Sequence, residues 1–121
     1  MSGSSTNSST GAAGEAATAD HYRRAGYRVL ARNWRCRFGE LDLVVARGRT
    51  IVFCEVKTRR GAVLGGPFEA VTWKKQAKLR ALAEAFLATE RPMWDQVRFD
   101  VASVSSHSTR SAVVYVYEAA F

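Results

Sequence analysis

Three runs of the chain carry apolar residues at strand spacing: "YRVLARNW", "ELDLVVAR" and "TIVFCEVKT". Each is about the length of a β-strand and is bounded by Gly, Arg or Asn. The Arg47-Gly48-Arg49 connection between the second run and the third is short, which predicts an antiparallel hairpin. Elsewhere the apolar step changes to three and four. In "GAAGEAATADHYRRAGY" it brings Ala12, Glu15, Ala16, Ala19 and Tyr22 onto one helical face. Arg23 and Arg24 fall in the last turn, where cations suit the helix dipole, and Gly26 is placed to cap the end. A second helix is predicted from about Trp73 to Thr89, with Thr72 as N-cap and Pro92 beyond its end. Its apolar stripe is Val71, Leu79, Leu82 and Phe86. Two more strands, "QVRFDVASV" and "SAVVYVYEA", are joined by the polar "SSHSTR".

The predicted order αβββαββ makes an α/β sandwich, a central mixed sheet flanked by helices. A helix between the third and fourth strands is long enough for a crossover, which sets those two strands parallel. A length of 121 residues suits one domain. After Met1, residues 1–10 are Ser, Thr, Gly and Asn and are expected to form a disordered tail, with a single domain over 11–121. The Gly-rich "GAVLGGP" is expected to be a mobile loop.

Charge narrows the class of partner. Eighteen basic against 11 acidic residues leave +7, with a pI near 10. That balance favours a polyanionic partner, although a solvated basic surface gives the same total. Cys36 and Cys54 form neither a CxxC pair nor a metal spacing and are expected to be reduced thiols. No apolar run approaches the ~20 residues that span a membrane. The opening "MSGSSTNSSTG" has neither the basic nor the apolar region of a signal peptide, so the cytoplasm is the expected compartment.

Charges inside the strands raise the chemical question. Glu55 and Lys57 share a face of "TIVFCEVK" with Ile51 and Phe53, while Glu40 and Asp42 share a face of "ELDLVV" with Val44. Pairing as a hairpin brings Asp42 and Glu55 to one face, far from the turn, with Lys57 beside them. An exposed salt bridge would account for this at ~0–1 kcal/mol. The third strand, however, is apolar on both faces before its charges begin, which is the pattern of a covered central strand. Two carboxylates ~4 Å apart repel by roughly 4 kcal/mol at an effective dielectric near 20. A divalent cation offsets that better than one lysine. Two carboxylates are hard ligands suited to Mg²⁺ or Mn²⁺, and no His or Cys accompanies them to favour zinc. Such a cation suits phosphodiester hydrolysis, with the lysine holding or deprotonating the attacking water.

An Asp, a hairpin and then Glu-x-Lys is the PD-(D/E)xK nuclease signature, a loose pattern by itself. Here "GEAATADHYRRAGYRVLARNWRCRFGELDLVV", "IVFCEVKTRR", "GGPFEAVTWKKQAKL" and "VRFDV" together resemble the YraN-type family of small bacterial proteins, from Gly14 to Val101. The resemblance implies a restriction-endonuclease-like fold, similar to Holliday-junction resolvases, and a metal-dependent endonuclease whose products carry 5′-phosphates. It assigns Asp42 and Glu55 as metal-binding acids, Lys57 as the catalytic lysine, Glu15 as a further metal ligand from the first helix, and the Val56 carbonyl as another. Glu40 is expected to stand outside the metal ligands or to face substrate. Because resolvases act as pairs, a homodimer is also expected.

Other residues fall into place around this core. Lys75 lies within the inward stripe of its helix by angle, and a Gln in this helix often completes related sites, which nominates Gln76. Lys74, Lys78 and Arg80 are expected to be phosphate contacts or solvated charges. Thr58, Arg59 and Arg60 follow the lysine at the expected mouth of the site and are candidates for the substrate backbone. "RNWRCRF" interleaves arginines with Trp34 and Phe38, which suit either strand stacking or the core. His21 and His107 stand alone and are not expected to be ligands. Asp100 is expected to pair with an arginine, and Cys54 to be buried. The function expected is Mg²⁺-dependent hydrolysis of DNA, with RNA as the alternative polynucleotide. A nucleic-acid-binding module with little turnover, or a scaffold with an ion-pair network, are the competing expectations.

Overall fold

The computed structural model describes residues 8–60, 71–106 and 112–121, without the side chains of 8–10, 60 and 106. The expected N-terminal tail through residue 7, the Gly-rich loop and His107 lie outside the described residues. The elements are α1 (Ser8–Arg24), β1 (Arg28–Cys36), β2 (Gly39–Arg47), β3 (Thr50–Arg60), α2 (Trp73–Glu90), β4 (Gln96–Ser106) and β5 (Ala112–Tyr117). Helix α1 thus begins inside the stretch expected to be tail.

The five strands form one sheet in the order β1-β2-β3-β4-β5. Strands β1, β2 and β3 are antiparallel neighbours, and the β2–β3 hairpin closes at Arg47↔Thr50 over a two-residue loop. Gly48 takes a φ of 60° there, which a glycine adopts without Cβ strain. Strand β4 runs parallel to β3 from Thr50↔Gln96 to Arg60↔Ser106, as a helical crossover requires, and β5 returns antiparallel. This mixed α/β sheet with a helix packed on each face, in the order αβββαββ, is consistent with a restriction-endonuclease-like sandwich.

Alternation sends the two faces of β3 into different cores. Ile51 and Phe53 pack under α2 with Leu79, Leu82, Ala83 and Phe86. Val52 and Cys54 pack under α1 with Ala19, Tyr22 and Tyr27. The expected α2 stripe is therefore correct, and Thr72 caps the helix by accepting from the Lys75 N–H at 3.1 Å. Trp34 belongs to this core: it meets Phe86 edge-on and donates its indole N–H to Glu90. Arg80 is exposed, as a solvated charge should be, and its guanidinium also lies over the Phe99 ring.

Helix α1 is built from small residues, whose inward face the periodicity reads less well. Gly14, Thr18, Ala19 and Tyr22 are buried, whereas Ala12 is exposed. Thr18 satisfies its buried hydroxyl by donating to the Gly14 carbonyl at 2.8 Å. The helix ends in a Schellman motif: the Gly26 N–H donates to the Arg23 carbonyl and the Tyr27 N–H to the Tyr22 carbonyl. Asp100, fully buried on β4, holds the layers together. It accepts from the Tyr22 hydroxyl of α1, twice from the Arg98 guanidinium, and from the Ala119 N–H near the C-terminus. The expected arginine partner is Arg98. No helix among the described residues is long and apolar enough to cross a membrane.

Candidate functional site

Strands β2 and β3 stay paired only as far as Leu43↔Cys54. One step further the register would place Asp42 opposite Glu55, and there the two strands part. Strand β3 remains bonded to β4 along its other edge, so the gap opens only toward β2. Asp42 fills it: its carboxylate accepts the Val56 N–H at 2.9 Å, replacing a ladder acceptor. In a strand the N–H and C=O of one residue face the same edge, so the Val56 carbonyl also faces this fork.

The fork corrects the expected pattern of β2. Strict alternation puts Leu41 on the face of Leu43 and Val45, yet Leu41 packs in the α2 core while Leu43 and Val45 pack in the α1 core. Where the pairing with β3 ends, the Asp42 carboxylate reaches across the gap to the Val56 N–H, with the Glu55 charge close enough to act on it. Glu55 itself points toward α2, where Lys75 meets it with Nζ 3.4 Å from Oε2. The helical angle of Lys75 anticipated that contact. Glu15 approaches from the other side, on α1, and receives a hydrogen bond from the Asn33 side chain.

These acids strain one another electrostatically. Burial raises the Asp42 carboxyl first and the Glu55 charge adds to it, against the lowering Val56 hydrogen bond; together with Glu15 and Glu40 they push it up to about 7. Glu15 is also raised, by burial opposed by Asn33. Among the described residues, no three His, Cys, Asp or Glu side chains converge as a ready-made metal cage. The acids act on one another through the field, across the fork. The donor set still fits a hard divalent cation: oxygen ligands, no competing His or thiolate, and excess negative charge in a part-buried setting.

The remaining candidates separate by face. Lys57 is half-buried and follows Glu55 on the α2 face of β3. Glu40 pairs across the strands with Arg35, Nε to Oε2 at 3.7 Å, on the rim of the fork. Gln76 donates its amide to the Val71 carbonyl at 2.8 Å, which fixes the start of α2. Thr58 lies on the opposite face from Lys57, and a Cβ at Gly14 would overlap its Oγ1. Its side chain packs against α1 at Gly14, the residue before Glu15. Arg59 returns to the Lys57 face. Asn33 was not anticipated; the sequence offered only a small polar residue that tolerates the left-handed φ of 54° it takes within β1, beside Glu15. A cleft of about 520 Å³ lined by Tyr27, Arg47 and Arg98 lies at the hairpin-turn end of the sheet, away from these acids.

The fold defines the class as an α/β sandwich of the restriction-endonuclease-like type, with acids and lysines gathered where two central strands diverge. The chain belongs to the Uncharacterised protein family UPF0102, the YraN family, whose profile matches residues 14–104. It is 52% identical to a UPF0102 protein of Nocardia farcinica over 94 residues, 78% of this chain and 74% of that one. It is 48% identical to one of Mycolicibacterium vanbaalenii over 104 residues, 86% of each chain. With one of Rhodococcus opacus it shares 43% identity over 114 residues, 93% of this chain and 97% of the other. The matched region spans α1 to β4 and so includes every residue of the fork.

Proposed function

We propose that this protein is a Mg²⁺-dependent nuclease that hydrolyses phosphodiester bonds of DNA at the fork. The observation that carries the reading is Asp42: a part-buried carboxylate at the end of a broken strand pairing, raised to about 7 by the acids around it. Structure-building alone gives no reason to gather Glu15, Glu40, Asp42 and Glu55 within one another's field, since each adds to the cost of the others. Asp42, Glu55, Glu15 and the Val56 carbonyl would hold the cation, with Mn²⁺ as the substitute metal. When bound, that cation supplies Lewis-acid activation of water and neutralisation of phosphate charge.

The residues of the chain do the rest. Lys57 presents an ammonium beside Glu55, suited to orient a water and to stabilise charge building on the phosphate. Lys75 holds Glu55 and partly offsets its charge, which keeps the carboxylate in place before substrate arrives. Arg59 and the net charge of +7 attract the polyanionic backbone. The same Lys75–Glu55 pair favours one competing reading, a binding module whose acids are balanced internally by lysine.

Incubation with duplex, single-stranded and branched DNA in Mg²⁺, Mn²⁺ or EDTA separates the two. Nuclease function predicts cleavage that needs metal and disappears in Asp42→Ala and Lys57→Ala. Binding without cleavage under every metal assigns the module, and cleavage that survives both substitutions refutes the site.

A further inference from the structure

The register carries the site from Lys57 across the sheet to strands that hold none of the proposed metal ligands. Lys57 pairs with Ser103 of β4, which pairs with Tyr115 of β5, and paired residues share a sheet face. The next row runs Arg59, Ser105, Val113. One face therefore presents a cationic column on β3, a low floor of two serines on β4, and an aromatic column on β5. Tyr115 and Tyr117 stack on each other with ring centroids 5.5 Å apart. Tyr115 is 65% exposed and Val113 is 54% exposed, an unusual outlay of apolar surface for an uncharged strand. Ser103 and Ser105 are too small to fill the space between the two columns. The result is a trough, cationic along one wall and aromatic along the other.

We propose that this trough holds an unpaired stretch of polynucleotide, with its phosphates along Lys57 and Arg59 and its bases stacked on Tyr115. Two strand spacings, ~10 Å between columns, suit a nucleotide laid across the serine floor from phosphate to base. Aromatic stacking recognises any base but only when the base is unstacked from its own helix, so paired duplex cannot use the tyrosine wall. Neither of these two rows carries an acidic residue; the row beyond them, Tyr117–Val101–Glu55, ends on the carboxylate that Lys75 meets. The inference rests on the proposed nuclease reading for its biological sense, and it adds a substrate class: DNA with unpaired nucleotides beside the scissile phosphate. A second copy of the chain pairing along β5 is the competing occupant.

The test measures binding in EDTA, where cleavage cannot occur. Labelled oligothymidylate, an oligomer of abasic units of equal length and a blunt duplex are titrated with the full chain by fluorescence anisotropy. The wild-type protein should bind oligothymidylate more tightly than the abasic oligomer. Tyr115→Ala should weaken oligothymidylate binding about tenfold, and Tyr115→Phe should retain it. Arg59→Ala should lower the salt dependence for both oligomers. Equal wild-type affinity for base-bearing and abasic oligomers overturns the proposal. So does a Tyr115→Ala protein that binds oligothymidylate as well as wild type, or one whose only change is from dimer to monomer in sedimentation. If metal-dependent cleavage fails while the base preference and its loss in Tyr115→Ala remain, the nuclease reading falls and the trough stands.

Discussion

Asp100→Ala should be among the most destabilising single substitutions in the protein. The carboxylate is fully buried and accepts four hydrogen bonds: from Tyr22 at 2.7 Å, from Arg98 Nε and Nη2 at 2.9 Å each, and from the Ala119 N–H at 3.0 Å. Truncation leaves the Arg98 guanidinium and the buried Tyr22 hydroxyl without their acceptor. Removing one partner of a buried ion pair costs roughly 3–5 kcal/mol. Arg98 keeps some solvent and a 3.7 Å approach to Glu118, which places the loss near the lower bound, about 3 kcal/mol. For a domain of this size that lowers the Tm by about 12 °C, at roughly 4 °C per kcal/mol. Urea unfolding followed by tryptophan fluorescence measures it directly. Tyr22→Phe, which keeps the ring, should cost about 1.5 kcal/mol. The double variant should fall short of the sum, because a missing hydroxyl cannot be orphaned a second time. A loss under about 1 kcal/mol for Asp100→Ala, or full additivity with Tyr22→Phe, would refute the idea that this carboxylate ties α1, β4 and the C-terminus together.

Gly14→Ala should destabilise by about 1–3 kcal/mol through overlap with Thr58, and Thr58→Ala in the same chain should recover most of that loss in a thermal melt. In metal-free protein Asp42 holds its proton up to about pH 7 when folded, against about 3.8 for an ordinary Asp. The folded state binds the extra proton between those values, so stability should fall as pH rises from about 4 to about 7 and then level off. Asp42→Asn should flatten that fall in melts with EDTA; parallel curves for the two proteins would contradict it. Cys54 is buried and its thiol is raised, first by burial, so a thiol reagent should label Cys36 alone in native protein and both cysteines in urea.

The sequence carried the hairpin, the crossover and the α2 stripe plainly, because each rests on an uninterrupted period or a short connection. Lys75 was legible for the same reason: its helical angle alone aims it at Glu55. The fork was not. Two-residue alternation presumes that a strand stays paired, and β2 leaves β3 at Asp42, so Leu41 packs in the other core from Leu43 and Val45. Thr58 faces α1 rather than α2, since a residue beside Lys57 in sequence lies on the opposite face of the sheet. Alanine and glycine on α1 gave a weak period, and the close approach of Gly14 to Thr58 involves no large apolar residue that could have announced it. Tyr115 and Tyr117 read as ordinary strand residues until the register aligned them with Lys57.

The parallel pairing of β3 with β4 has a consequence for how the chain assembles. Strands β1 to β3 join through short connections and need little loop closure, so they can zip up as a meander on local contacts. Strand β4 must return across the residues between Arg60 and Gln96 before its ladder begins, and that closure carries the larger entropic cost. The fork between Asp42 and Glu55 is therefore set by the early, local part of the fold. Asp100 arrives with the late part, together with the serine floor and the tyrosine wall. Substitutions in the β2–β3 hairpin should act on the folding rate, and those around Asp100 mainly on the unfolding rate.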